Sequence, residues 1–578
     1  MQTSSYIKIT VLNSILRLDI VKICINTLAR TNNKELKFFF VSSSTMASID
    51  LSPRTMFVFL CTICLFGVIT LALAAATLGT INKRFDSLTV TTSTTQTKLN
   101  SPLAETIRID DLVNHLRQLQ RIANESNGNR AINTRGFNAT VDYIYNYLQN
   151  QIGTLQVTRR TFTIRNFALA KNPILLSKIE GTEKNYTYST TLARSEFTYA
   201  NYSTATKFTD YVRVVSIPNF GCSEDAWKNV SGLVALIKAG GKCTYAEKGM
   251  LAADSGIQAL LFYSDGETSS NLAPVNVRLR HTNKLPALAL SYTAGEALAT
   301  AASMGTAFVK LEIELENMPP FPVDNVCADT PHGDATQTIV VGSHSDSVPA
   351  GPGINDNGSG TAANLVLAAN LARLYQTSNY KKYKYRVRFC WWAAEEIGLA
   401  GSSDYVDKAK VSTEPGERRA DILVNLNFDM AGSPNFIFGI YDAKTALNGT
   451  PVEALPGSQK ITELYRDWFI GQNLPWDYRD FNGRSDYGPF LAAGIAAGGV
   501  ATGSDAVKSA AQRDKYRQSI GEENAGFAGA ILDPCYHLSC DTLVNIHLYG
   551  YEKLVQAAAY GLEYLGQRDD LKTWLYPQ

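Results

Sequence analysis

The chain has 578 residues, 45% of them hydrophobic and 19% charged, more than one hydrophobic core organises, since single domains stop at about 250–300 residues. Its 54 basic side chains nearly cancel 53 acidic ones, so no global field draws it to nucleic acid or to an acidic membrane surface. Partners therefore have to be sought in local sites.

Residues 1–55 form an N-terminal segment of no assigned role. The next stretch, MFVFLCTICLFGVITLALAAATLGTI over residues 56–81, carries no charge across a length that spans a hydrocarbon core as a helix. Two products are expected from it: a single-pass anchor holding the protein in the membrane if uncleaved, or a signal peptide cut at an A-x-A-like site near Ala76, with Met46 as the natural start. Arg54 before it and Lys83 and Arg84 after it leave the orientation open. The N-x-S/T acceptors at Asn124, Asn138, Asn185, Asn201 and Asn229 all follow it, which places the remainder in the secretory pathway, luminal or extracellular. Such a compartment permits disulfides. Of nine cysteines, Cys24, Cys61 and Cys64 lie in or before the apolar stretch, leaving Cys222, Cys243, Cys327, Cys390, Cys535 and Cys540.

Residues 82–104, with SLTVTTSTTQTKLNSP, have neither helical nor strand period and read as a flexible stalk or propeptide. From residue 105 to 175 the texture is α/β: IDDLVNHLRQLQRIA is a helix with Asp110 and Asp111 at its dipole-favoured end, VDYIYNYLQNQI a second helix, and LQVTRRTFTI a strand. Residues 176–319 change to short strands and Gly-bounded turns. Over residues 320–578 the α/β texture resumes, with TIVVGSHSDS, YRVRFCWWAAEE, ILVNLNFDM and AAGGVATG as strands and GTAANLVLAANLARLY as an intervening helix. This alternation predicts a mixed, mostly parallel sheet sandwiched by helices, which binds ligands outside the carboxyl ends of its strands.

Those ends carry the chemistry. The first strand delivers His344 and Asp346, and the loop GPGINDNGSG holds Asp356 among glycines that let the backbone turn sharply. FCWWAA runs into Glu395 and Glu396, ILVNLNF into Asp429, and LDPCYHLSCD supplies Tyr536 and His537. Singly, each has a plain reading as a hydrogen-bonded His, an ordinary turn or a solvated helix start; together they form a ligand inventory. Catalytic zinc takes His nitrogen and carboxylate oxygen and keeps an open position. A zinc pair about 3.5–4 Å apart needs a bridging carboxylate and further ligands on each side. His344, Asp356, Glu396, Asp429 and His537 fit that arithmetic and leave Glu395 over. Cobalt or manganese would suit the same donors, with availability favouring zinc.

In order, HSDS, GPGINDNGSGTAA, WWAAEEIGLAGS, NFDMAGSPN, GRSDYGPF and DPCYHLSCDT resemble the secreted di-zinc aminopeptidases, including bacterial and fungal leucine aminopeptidases, over residues 105–175 and 320–565. The resemblance implies two Zn2+ per chain, one on His344 and Asp429, the other on Glu396 and His537, with Asp356 bridging. It also implies Glu395 as general base, Tyr536 beside the oxyanion, and a short disulfide between Cys535 and Cys540, for which two thiolate zinc ligands are the alternative. Asp346 is a candidate acceptor for the free ring N–H of His344, or a turn cap. In the family GRSDYGPF lies near the substrate's amino terminus, so Arg484 is a substrate-side candidate, with an Arg484–Asp486 ion pair as the alternative. The stretch VSGLVALIKAGGKCTYAEKGMLAADSGIQALLFYSD resembles the protease-associated domain, implying a lid or guiding insert over 176–319 in which Cys222 and Cys243 pair or stay as free thiols. The expected activity is a zinc-dependent aminopeptidase acting on peptides with a free N-terminus, with an apolar preference; the alternatives are a glutamate-carboxypeptidase-like exopeptidase, a catalytically dead receptor-like relative, and a glutaminyl-cyclase-like reaction.

Overall fold

The computed structural model describes residues 39–42, 45–48 and 99–577, apart from 242, 268–271 and 448. Phe39–Ser42 and Thr45–Ser48 pair antiparallel in a unit of their own. The apolar stretch 56–81 with its Ala76 site, most of the stalk, and Cys24, Cys61 and Cys64 lie outside the described residues. Among the described residues no helix is long and apolar enough to cross a membrane.

A six-stranded sheet organises the catalytic body. Its strands are β1 (Gln156–Ile164), β2 (Phe321–Asp329), β3 (Asp334–His344), β4 (Tyr385–Trp392), β5 (Ile422–Asn427) and β6 (Ala496–Gly498). They lie in the order β6-β5-β3-β4-β2-β1. β3 runs parallel to β4 and β5, and β5 parallel to β6, while β2 is antiparallel to β4 and β1. The expected mixed, mostly parallel sheet is therefore present, with an antiparallel edge. β4 is buried at every position, as a strand covered on both faces must be. Alternation divides its side chains: Val387, Phe389 and Trp391 meet helix α1 (Gly360–Leu374), while Cys390 and Trp392 meet Tyr405 and Val406 of α2 (Ala400–Val411). Trp391 and Trp392 are both fully buried, each adding roughly 2–3 kcal/mol of apolar burial.

The two helices expected near the start are present as Ile109–Asn124 and Arg135–Asn146. The second begins well before the apolar period suggests, because the Thr134 hydroxyl accepts from the Phe137 N–H and caps it. Its sequence continuation, Tyr147–Ile152, is π-helical and stops at Gly153, whose φ is 65°.

After β1 the chain leaves the sheet and returns to it at β2. In between, strands from Ile174–Ile179 to Ala307–Ile313 build a nine-stranded sheet, and the Leu169–Leu315 bridge joins the outgoing and returning segments. Strand Val234–Lys238, helix Tyr245–Ala253 and strand Ala259–Tyr263 follow the expected strand–helix–strand order, the helix opening on a Thr244/Glu247 capping box. Cys222 and Cys243 are disulfide-bonded, as are Cys535 and Cys540. A third bridge, Cys327–Cys390, was not expected; it links directly opposed residues of β2 and β4. Asn124, Asn138, Asn185 and Asn229 are exposed and Asn201 is half-buried.

Candidate metal centre

Each strand delivers its acid or imidazole by a distinct local device. β3 ends on His344 itself. The chain then turns at Gly353, where φ is 62° and a Cβ would lie 2.3 Å from the Asp356 carbonyl oxygen, so only glycine lets the loop fold tightly enough to present Asp356. The Asp356–Asn357 peptide bond is cis. β4 runs through Trp392 to Ala394, whose φ of 60° precedes Glu395 and Glu396, and Asp429 follows β5 just before Met430, also at φ 60°. His537 sits at φ 59° between the disulfide-bonded Cys535 and Cys540.

These side chains converge. His344 Nε2 lies 3.3 Å from Asp356 Oδ1 and 3.5 Å from Asp429 Oδ1. His537 Nε2 lies 3.0 Å from Asp356 Oδ2 and 3.1 Å from Glu396 Oε2. Two donor groups result, His344/Asp356/Asp429 and Asp356/Glu396/His537, and Asp356 belongs to both. Glu395 belongs to neither, although its Oε2 is 4.0 Å from His344 Nε2. Asp356, Glu395, Glu396, Asp429 and Asp486 thus crowd buried or nearly buried carboxyls around two imidazoles. Glu396 Oε1, Asp429 Oδ1 and Asp486 Oδ2 have no hydrogen-bond partner. A surplus of buried negative charge with orphaned oxygens is costly unless cations neutralise it, and mixed His/carboxylate donors suit divalent zinc. The residues fit the metal.

The protonation tendencies follow from this crowding. Burial pushes Glu395 well above the usual carboxylate range; Glu396, Asp486 and Asp429 add to the shift and His344 opposes it. Burial likewise brings Glu396 and Asp486 up to about 7. For His537 burial works downward, but its hydrogen bonds to Asp356 and Glu396 prevail and raise it to about 9.

A supporting ring holds the donors. The Asp346 carboxylate accepts the Glu395 and Glu396 N–H groups at 3.2 and 3.3 Å, fixing both glutamates' backbone. His344 Nδ1 is 3.2 Å from the Asp346 main-chain oxygen and 3.6 Å from its carboxylate, so the nearer acceptor is the carbonyl. Ser485 donates to Asp429 Oδ2 at 2.5 Å. Asp541 accepts the N–H groups of Asn355 and Asp356 at 2.8 and 3.0 Å. Arg130, fully buried, donates to the carbonyls of Ser345, Pro352 and Gly353 at 2.5, 2.9 and 2.7 Å, tying the His344 loop to the Asp356 loop. Burial lowers its guanidinium to about 10, with Asp346 and Asp541 pulling upward, so it stays charged at neutral pH.

Arg484 differs from the alternative raised for it. It pairs with Asp505 at 3.0 Å and donates to the Tyr536 hydroxyl at 3.2 Å, while Asp486 turns inward and accepts from Ser402 Oγ at 2.5 Å. The Tyr536 ring stacks on His537, centroids 3.8 Å apart. From the inserted domain, Arg278 donates to the main-chain oxygen of Glu396. Sequence reasoning missed Arg130, Arg278, Ser485, Asp541 and the inward role of Asp486. Of these, Ser485 and Asp486 stand in GRSDYGPF and Asp541 in DPCYHLSCDT, where the direction of each side chain was the unknown; Arg130 and Arg278 stand in no quoted motif.

Residues 325–561 match peptidase family M28 and residues 209–298 the PA domain. An aminopeptidase of Pseudomonas aeruginosa is 32% identical over 80% of this chain and 82% of its own. A probable leucine aminopeptidase 2 of Aspergillus fumigatus is 33% identical over 80% of this chain and 84% of its own. Among solved structures, an aminopeptidase from Aneurinibacillus sp. strain AM-1 shares the fold with a TM-score of 0.53, at 21% identity over 80% of this chain and 95% of that one. The chain belongs to peptidase family M28 and carries a PA domain: it is a peptide-bond hydrolase with relatives among the bacterial and fungal aminopeptidases over four fifths of its length.

Proposed function

We propose that this chain is a zinc-dependent aminopeptidase that removes single residues from the free N-terminus of peptides, with one zinc held by His344 and Asp429, a second by Glu396 and His537, and Asp356 shared between them. One observation carries the reading: Asp356 turns one carboxylate oxygen to His344 and the other to His537, with an acid outside both groups directly beside them. The aminopeptidases at 32–33% identity favour the amino-terminal end as the point of attack.

When bound, zinc supplies Lewis acidity toward the scissile carbonyl and eases ionisation of the attacking water. The chain's own groups account for the rest. Glu395 takes the water's proton and hands it to the departing amine, which requires a carboxylate near the ligand groups but outside them. Asp346 holds Glu395 and Glu396 at fixed spacing through their N–H groups, so ligand and base stay in register. The Asp346 carbonyl accepts from His344 Nδ1 and leaves Nε2 as the ligating atom. Because the Tyr536 hydroxyl accepts from Arg484, its proton is free for the oxyanion that forms at the carbonyl carbon. Arg484 thereby acts on the substrate side through Tyr536. The Cys535–Cys540 bridge keeps Tyr536 and His537 in their tight loop. Three disulfides and the acceptors at Asn124, Asn138, Asn185, Asn201 and Asn229 support export into an oxidising compartment.

The test is hydrolysis of leucine p-nitroanilide by the purified protein before and after chelation. Activity lost on chelation and restored by zinc is expected; turnover indifferent to chelation would refute the proposal.

A further inference from the structure

The last long helix, Leu548–Gln567, opens on an imidazole. His547 is its N-cap, and the Gly550 N–H donates to His547 Nδ1 at 3.2 Å. A ring nitrogen accepts a hydrogen bond only while it carries no proton, so this cap exists in the neutral side chain alone. Protonation would set two N–H groups against each other and place a positive charge at the positive end of a helix dipole. The usual caps serine, threonine and asparagine carry no such dependence.

The surroundings add to that cost. The His547 ring lies 4.6 Å from the Phe436 ring between centroids, and the helix's first turn presses on the same ring, since a Cβ at Gly550 would lie 2.8 Å from it. The Phe436 carbonyl accepts at 2.7 Å from Lys508, a fully buried ammonium 4.5 Å over the Tyr516 ring with no carboxylate in ion-pair reach among the described residues. The titratable neighbours are thus Lys508 and Tyr516 at Phe436, Glu523 from the preceding loop, and Tyr549 on the helix itself, whose phenol burial and Glu523 raise. Burial, then the Lys508 charge, hold His547 below its ordinary value of about 6.5, with the main chain of His547 and of Glu523 pulling the other way. The fold therefore favours neutral His547: its contribution is complete above about pH 6.5 and is lost as pH falls from there toward the lower folded value.

What the cap fastens is the segment at the metal centre. Tyr536, His537 and Asp541 lie in the stretch that ends at His547. The His547 N–H donates to the Gly432 carbonyl at 2.9 Å, the Gly432 N–H to Asn355 Oδ1 at 2.9 Å, and Asn355 Nδ2 to Asp533 Oδ2 at 2.6 Å. Asn545 Nδ2 reaches Asp533 at 2.9 Å and Asp541 at 3.2 Å. Hydrogen bonds thus run from the helix cap to the loop of Asp356 and to both sides of His537. We propose that His547 is an acid-sensitive latch: on protonation the helix uncaps and the segment carrying Tyr536 and His537 loosens, so that mildly acidic surroundings switch the site off.

Hydrogen exchange at about pH 7.5 and about pH 5.5, on either side of the ordinary histidine value, reads the latch directly. After correction for intrinsic rates, peptides from residues 532–555 should lose protection at the acid pH by about fivefold, what one N-cap is worth, relative to helix Ala454–Gly471, which has no histidine. His547→Asn keeps a capping acceptor that does not titrate, and should abolish that loss. Its fall in kcat on leucine p-nitroanilide between the two pH values should also be smaller than in the wild-type protein; protonation of metal ligands is common to both and cancels in the comparison. Unchanged relative protection in the wild-type protein, a measurement that needs no variant to fold, overturns the proposal, and so does an equal loss in His547→Asn. Exchange is read with or without zinc, so a failure of the metal centre shows in metal content and turnover, and a failure of the latch in the exchange.

Discussion

Replacing Glu395 with glutamine isolates proton transfer from metal binding. The substitution keeps the side chain's length and its place beside His344, and it touches neither donor group, since Asp356, Glu396 and His537 and His344, Asp356 and Asp429 assemble without Glu395. Metal content should therefore be unchanged. The amide cannot accept the water's proton, and general acid–base help is worth about 10²–10⁴-fold, or roughly 3–5 kcal/mol of barrier. Stability should hold or rise, because the change removes a buried carboxyl that burial above all, and then the neighbouring Glu396, Asp486 and Asp429, push upward against the pull of His344. The assay pairs kcat on leucine p-nitroanilide with metal analysis and a thermal melt of the same preparation. A rate within tenfold of wild type at full metal content would refute Glu395 as the base; a parallel loss of metal would make it a ligand instead.

Other consequences follow from the supporting structure. Arg130→Met strands three buried carbonyls, at about 1–3 kcal/mol each before relaxation, so it should lower the melting temperature and also shift the chelator concentration needed to strip metal; Arg130→Lys should recover part of both. Opening the Cys535–Cys540 loop by serine substitution should cost about 2 kcal/mol of stability and opening Cys327–Cys390 about 4 kcal/mol, because the latter closes a far longer loop; only the former should depress kcat, since it frees Tyr536 and His537. Glu417 is held at about 2, its ion pairs with Arg160 and Arg388 outweighing burial. A depressed carboxylate stabilises above its unfolded value and loses that contribution as pH falls from about 4.5 toward 2. Glu417→Gln should therefore flatten the acid limb of the stability profile by roughly 1–2 kcal/mol, discounted for partial exposure, and leave stability near pH 2 unchanged.

The convergence of the candidate donors was legible because parallel strands deposit such residues at one end, and His344, Glu396 and Asp429 each end or follow a run whose apolar, β-branched texture is unmistakable. Asp356 was legible from its glycines. Arg130 and Arg278 were not, because each reaches the centre from a segment without motif: one precedes a helix near the start of the catalytic body, the other lies in the inserted domain. The Cys327–Cys390 bridge follows from the register of β2 against β4, which no periodicity specifies; once two pairs are assigned, though, those two cysteines are what remains. Arg484 illustrates the limit of local reasoning. Asp486 is its neighbour in sequence, but the chain turns that carboxyl inward to Ser402 and leaves the guanidinium to Asp505. The pairing depends on a turn's direction, which composition does not encode.

The proposed metal centre requires Asp356 to serve two metal ions at once. Calorimetric titration of zinc into the chelated protein, with activity followed at each addition, tests it most directly. Two equivalents bound per chain, with Asp356→Asn weakening both, is the predicted result; a single equivalent that restores the full rate and survives Asp356→Asn would contradict it.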